Sequence, residues 1–152
     1  MITNNTETKN IGKKLSITAR RGDVLWLHGD LGAGKTEMTK GIAEGLSSID
    51  TVSSPSFALI HEYETSTIPL YHIDLYRLYD DAPLDLGLSD YIEGDGLTVI
   101  EWGERLPFDY YDDGIDIFIN HIEDNANKRE ITLKPRGKKG EEHLHRFLEA
   151  DK

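Results

Sequence analysis

Gly29, Gly34, Lys35 and Thr36 fall in the stretch HGDLGAGKT with the spacing glycine, four residues, glycine, lysine, threonine. That spacing suits a bound phosphate chain for a physical reason. Glycine backbones let N–H groups from about Asp30 to Thr36, through Leu31, Gly32, Ala33 and Gly34, turn toward one anion with no side chain in the way. A helix starting near Lys35 adds its own unpaired amides. Lys35 is expected to reach the β- and γ-phosphates of a nucleotide, and the Thr36 hydroxyl to hold a magnesium ion. A glycine turn that only starts a helix needs neither the lysine nor the hydroxyl.

Such a loop works with an acid at the end of a neighbouring strand. LTVIE places Glu101 after four mostly apolar residues, and LYHID places Asp74 in the same way. Each has the form of a carboxylate at the carboxyl edge of a parallel strand. Either can hold magnesium, directly or through water, and either can orient an attacking water. Spacing alone leaves these jobs unassigned between the two. TVSSPSF adds hydroxyls at Thr51, Ser53, Ser54 and Ser56, where nucleotide enzymes often carry a γ-phosphate-sensing loop. No aspartate, two residues, glycine motif occurs. NKRE at 127–130 ends in glutamate where a guanine-reading motif has aspartate, and it reads as a hairpin turn. Adenine follows by elimination.

The elements that must position these residues are legible from periodicity. VLWLH, Val24 to His28, reads as a buried strand entering the glycines. EMTKGIAEGL has Met38, Ile42, Ala43 and Leu46 at helical spacing. Residues 6–20 carry Ile11 and Leu15 on a narrow helical stripe. FALIHEYET, LYHID and LTVIEW are strand candidates. Leu75 to Asp85 is expected to be partly helical, and LGLSDYI from Leu86 to form a short amphipathic helix broken at Gly94, Asp95 and Gly96. IDIFINHI and REITLK alternate as a pair of strands, and EEHLHRFLEA reads as a helix with Leu144, Phe147 and Leu148 on one side. The expectation is an α/β single-domain P-loop fold over residues 1–152: a mainly parallel central sheet flanked by helices, with antiparallel pairing at its C-terminal strands.

Composition narrows the function classes. One domain fits 152 residues, with 38% hydrophobic residues for its core. Seventeen basic residues against 28 acidic ones give a net charge of −11, which argues against autonomous binding of DNA or RNA. Lys134, Arg136, Lys138 and Lys139 around PRGKKG form a local basic cluster, read as a solvated hairpin end or an RNA-phosphate contact within a complex. There is no cysteine, and so no disulfide or thiolate chemistry. MITNNTETKN lacks the apolar core of a signal peptide, and no apolar run approaches a membrane span, so the cytoplasm is the default compartment.

Taken in order, HGDLGAGKT, VSSPSFALIHEY, YHIDLYRL and VIEWGERL resemble the small bacterial P-loop ATPase family called TsaE or YjeE, from about residue 6 to about residue 148. The resemblance implies an ATP- and ADP-binding, magnesium-dependent subunit that supports threonylcarbamoyladenosine formation on tRNA together with TsaB and TsaD, TsaD being the transferase. It further implies phosphate binding by Gly32, Gly34 and Lys35, magnesium ligation by Thr36 and Glu101, and a catalytic or metal-water role for Asp74. Trp102, otherwise an aromatic core residue, becomes a neighbour of the nucleotide, and Ser53 to Phe57 a switch-like loop. Glu37 stands where the family often has threonine, and Ser56 replaces a common threonine. Two rival readings stay open: a nucleotide-binding regulatory scaffold with little turnover, and a small-molecule kinase. The latter normally needs an acceptor-binding lid or arginine-rich clamp, and the isolated Arg77 and Arg105 are a thin basis for one.

Overall fold

A computed structural model describes residues 2–29, 34–48, 60–75, 91–92, 94–103, 111–123 and 125–150. In chain order its elements are β1 (Ile2–Thr3), α1 (Asn5–Ile17), β2 (Val24–His28), α2 (Lys35–Gly45), β3 (Ile60–Tyr63), β4 (Leu70–Asp74), β5 (Leu97–Glu101), β6 (Gly114–Ile122), β7 (Asn125–Arg136) and α3 (Gly137–Glu149). The strands form one sheet in the order β1-β7-β6-β2-β5-β4-β3. Its centre, β6-β2-β5-β4, is parallel. β3 pairs antiparallel with β4, β7 with β6, and β1 with β7. The result is an α/β fold with a parallel centre and antiparallel C-terminal strands.

Period-2 alternation divides β2 between two cores. Leu25 and Leu27 face a large cluster with Ile11 and Leu15 of α1, Met38 and Ile42 of α2, and Phe147 of α3. Val24 and Trp26 face a smaller cluster on the other side, with Ile73, Ile100 and Ile92. The apolar bodies of β2 and β5, buried almost throughout, fit strands covered on both faces. Helix α1 starts at a reciprocal cap: Asn4 Oδ1 accepts the Glu7 N–H at 2.8 Å and Glu7 Oε1 accepts the Asn4 N–H at 3.3 Å. Its backbone touches that of α2. A Cβ on Gly41 would lie 1.9 Å from the Lys9 carbonyl oxygen, so only glycine permits the approach. No described helix is long and apolar enough to cross a membrane.

Three local expectations are corrected. NKRE is not the hairpin turn: Arg129 and Glu130 pair with His121 and Asn120 inside β7. A register shift after His121 carries the ladder on to Asn125, so the turn falls between Ile122 and Asn125. PRGKKG is not a hairpin end but the junction of β7 with α3. There Arg136 grips Asp116 with two bonds, Nε to Oδ2 at 2.7 Å and Nη2 to Oδ1 at 2.5 Å, and lies over the Trp26 ring. The Arg136 guanidinium, one of the four basic groups of the cluster, is thereby half-buried on an internal carboxylate, while Lys134, Lys138 and Lys139 stay exposed. Finally, Leu148 is 59% exposed, and the buried side of α3 runs through Gly140, His143 and Phe147. The 13-residue helix begins at Gly137, and its inner side carries Phe147 into the core together with a His143 bond to the Leu15 carbonyl.

That contact belongs to a charged cluster at the amino end of β2. His143 Nε2–H donates to the Leu15 carbonyl at 2.7 Å, and Nδ1 lies 3.7 Å from Asp23 Oδ2. Asp23 accepts from Arg146 Nη2 at 2.6 Å and from the Arg20 N–H at 2.7 Å, while Arg146 Nε donates to the Thr18 carbonyl at 2.8 Å. Burial lowers the His143 pKa below its ordinary value, against the opposing pull of Asp23.

Candidate functional site

β2 ends at His28 and Gly29, and α2 begins at Lys35 with Gly34 as its N-cap. Gly34 has φ 110°, a left-handed conformation natural to glycine, and it supplies no side-chain acceptor to the first-turn amides. Asp30, Leu31, Gly32 and Ala33 lie outside the described residues, as do the 51–57 segment, Arg77 and Arg105.

Lys35, at the first helical position, turns back toward the sheet and is almost fully buried. Its Nζ lies 3.7 Å from Glu101 Oε1 and 4.6 Å from the centroid of the Trp102 ring. A partly desolvated ammonium over an indole gains about 1–2 kcal/mol. Three residues named from sequence, some 65 positions apart, are thus brought to one point because β5 lies directly beside β2, with Leu27 opposite Glu101. Trp102 has φ 61°, uncommon for a bulky side chain. That sharp turn just past the end of β5 accompanies the placement of the indole against Lys35.

Asp74 is the register partner of Glu101 on β4, so both proposed acids end adjacent parallel strands at the same edge of the sheet. Thr36 is exposed in the first turn of α2. Glu37 pairs with Lys40 on its own helix at 3.3 Å, which gives its charge a local partner.

One site residue was not singled out from sequence. His72 is buried, and its Nε2–H donates to Glu101 Oε2. The available signal was its position two residues before Asp74, on the same face of the same strand. Glu101 therefore has one oxygen toward a lysine and the other toward a histidine. Both partners are side chains, so among the described residues the carboxylate is oriented without a bond to backbone. His72 Nδ1 is buried with no hydrogen-bond partner.

On the other flank, Asp116 of β6 accepts from His28 at 2.6 Å as well as from Arg136. Burial pushes the Asp116 carboxyl up, but the His28 and Arg136 hydrogen bonds outweigh it and hold the pKa at about 2. This network fixes the last residue of β2, immediately before the glycines.

The whole arrangement has known relatives. The family model described as "Threonylcarbamoyl adenosine biosynthesis protein TsaE" matches residues 2–131. The tRNA threonylcarbamoyladenosine biosynthesis protein TsaE of Bacillus subtilis (strain 168) is 44% identical over 138 residues, covering 91% of this chain and 85% of that protein. The TsaE protein of Nostoc sp. is 42% identical over 131 residues, 82% of this chain and 79% of its own length. The crystal structure of Bacillus subtilis YdiB superposes with a TM-score of 0.80 at 38% identity, covering 100% of this chain and 95% of that one. With a family model spanning most of its length and relatives above 40% identity across it, this chain belongs to the TsaE family.

Proposed function

We propose that the protein is a magnesium-dependent ATPase subunit that acts with TsaB and TsaD in forming threonylcarbamoyladenosine on tRNA, in the cytoplasm. The carrying observation is Lys35, buried against Glu101 and Trp102 at the uncapped start of α2. The biosynthetic context comes from the printed names of the relatives.

The residues present fit ATP and its metal. Backbone amides from Asp30 to Thr36 and the Lys35 ammonium would hold the phosphates. Thr36 and Glu101 would ligate magnesium, and Asp74 would hold a metal-bound or attacking water. Among the described residues no group of three or more His, Cys, Asp or Glu forms a metal cage. That fits magnesium, which takes one or two protein oxygens and completes its shell with phosphate and water. When bound, magnesium would neutralise charge on the phosphate oxygens. Lys35 supplies a second positive charge, held from water by the Trp102 ring and so stronger in its effect on an anion. His72 keeps the Glu101 carboxylate aimed at the site while Lys35 serves the phosphates.

The test is capture of the TsaB–TsaD pair by this protein with ATP, ADP or no nucleotide, followed by phosphate release from the assembled complex. Nucleotide-sensitive capture with ATP turnover is the expected result. Capture without turnover would identify a regulatory scaffold. Intact tRNA modification in cells carrying only a nucleotide-blind form would overturn the proposal.

A further inference from the structure

The ammonium that would hold phosphate is already paired inside the protein. Lys35 Nζ lies 3.7 Å from Glu101 Oε1, with side-chain exposures of 8% and 11%. That separation is too long for a hydrogen bond, so charge alone holds the pair and it can part without breaking one. The ammonium also faces the Trp102 ring at 4.6 Å, which offers a π face but no formal charge to replace the carboxylate. Glu101 Oε2 accepts from His72, so the carboxylate keeps its place when Lys35 turns elsewhere.

A phosphate that recruits Lys35 must take it from Glu101. An anion that arrives by itself then meets two costs. Glu101 keeps a buried charge whose cation has gone, with His72 as its one described partner, and the incoming negative charge lies beside that carboxylate. Both costs fall when the phosphate carries a divalent cation, because Glu101 gains a new counter-ion as Lys35 leaves. We propose that the Lys35–Glu101 pair is a selectivity device: Glu101 admits a nucleotide that brings its divalent cation and rejects the same nucleotide without one. The inference rests on the ATP-site reading above, in which Glu101 is a metal ligand, and adds a role in ligand choice that comes from Glu101 being the counter-ion of Lys35. It sets the sign of an effect that metal ligation alone does not predict. Removing the Glu101 charge makes metal-free nucleotide bind better, since Lys35 is then free for phosphate and no carboxylate repels it.

Titration of ATP, with magnesium or with EDTA at one ionic strength, into the wild type and the Glu101→Gln, Thr36→Ala, Glu37→Gln and Lys35→Ala variants tests it. The wild type should bind ATP about a hundredfold more weakly in EDTA. Glu101→Gln should bind ATP about tenfold more tightly than the wild type in EDTA, and no more tightly in magnesium. Glu101→Met, similar in volume, takes its place if the amide impairs folding. Thr36→Ala removes a metal ligand and keeps the pair, so it should weaken binding in magnesium and leave the EDTA affinity within about twofold. Glu37→Gln removes a carboxylate from the same first turn, one paired with Lys40, and should also leave the EDTA affinity within about twofold. Equal wild-type affinity with and without magnesium, or no gain in EDTA when the Glu101 charge is removed, overturns the selectivity assignment. So does a gain in Glu37→Gln as large as that in Glu101→Gln, which would mark general charge repulsion. Wild type that does not bind ATP with magnesium, or Lys35→Ala that binds it normally, overturns the ATP-site reading and this inference with it.

Discussion

Two buried histidines sit at opposite ends of the sheet, each with a carboxylate and a cation. At the carboxyl end His72 meets Glu101, which also faces Lys35. At the amino end His143 stands beside Asp23, which is gripped by Arg146. Residue types and burial are nearly the same, yet the bonding differs. The His143 cluster is tied to backbone three times, at the Leu15 and Thr18 carbonyls and the Arg20 N–H, and so pins α3 to the end of α1 and the start of β2. Among the described residues Glu101 is held by side chains alone, next to the start of a helix whose N-cap, Gly34, makes no side-chain cap. Groups locked to backbone cannot change partners during a reaction, whereas a carboxylate shared by a lysine and a histidine can. The comparison teaches that partner type, more than burial, separates a structural ion cluster from one suited to bind and react.

The largest expected effects test the carboxyl-end cluster. Glu101→Gln keeps the shape and removes the charge, and phosphate release in the reconstituted complex should fall on the order of 10² to 10³-fold in single-turnover measurements. Lys35→Ala should instead damage ATP binding first, while Thr36→Ala leaves most backbone phosphate contacts in place and weakens the magnesium dependence. Thr36→Ala should unfold in denaturant close to the wild type, whereas Glu101→Gln and Lys35→Ala each remove one member of a buried pair and lose some stability while still folding, so turnover is compared per folded protein. Loss of the fold in Glu101→Gln would erase the distinction between the two clusters.

Asp23→Ala sharpens the comparison from the other end. It leaves Arg146 partly buried without its carboxylate and the Arg20 N–H without an acceptor. Breaking a buried pair in this way costs about 3 kcal/mol. The denaturant midpoint should therefore drop markedly, with ATP affinity of the folded fraction unchanged. A large loss of affinity with normal stability would mean that the amino-end cluster acts on the site.

A smaller effect is expected at His72. His72→Leu removes the donor to Glu101 Oε2, and misorientation of a ligating carboxylate lowers activity about tenfold. His72→Gln supplies an amide donor near the same place and should recover much of the turnover number, with the Michaelis constant little changed throughout. Equal loss in both variants would point to packing rather than to orientation of Glu101.

These contrasts also explain what could be read from sequence. β2, β4 and β5 run from Val24 to His28, Leu70 to Asp74 and Leu97 to Glu101, as their short apolar runs predict, because glycines, prolines and acids punctuate both ends. The lysine and the two acids were legible because each ends or follows such a strand. Their meeting at one edge follows from sheet order, which alternating elements make the default. The rest depends on pairings between distant residues that no local pattern carries. His72 matters through Glu101, 29 residues away. Gly41 matters because of Lys9, 32 residues before it. Leu148 looked buried because helical periodicity was counted from leucines, while the buried side runs through Gly140, His143 and Phe147.

The smallest effect is a pH dependence carried by the amino-end cluster. Burial lowers the folded-state pKa of His143 below its value in the unfolded chain, about 6.5. Above that value both states are neutral and the histidine carries no penalty. As pH falls below about 6.5, the unfolded chain binds a proton that the folded protein resists, so stability declines until the folded pKa is reached. Asp23 and Arg146 are the charged groups facing the ring. His143→Gln retains an N–H donor for the Leu15 carbonyl but cannot titrate. Its melting temperature should therefore fall less than that of the wild type between pH 7.5 and 5.5, even if it begins lower. Parallel curves would show that His143 does not couple proton uptake to unfolding and that its role is confined to its hydrogen bond with the Leu15 carbonyl.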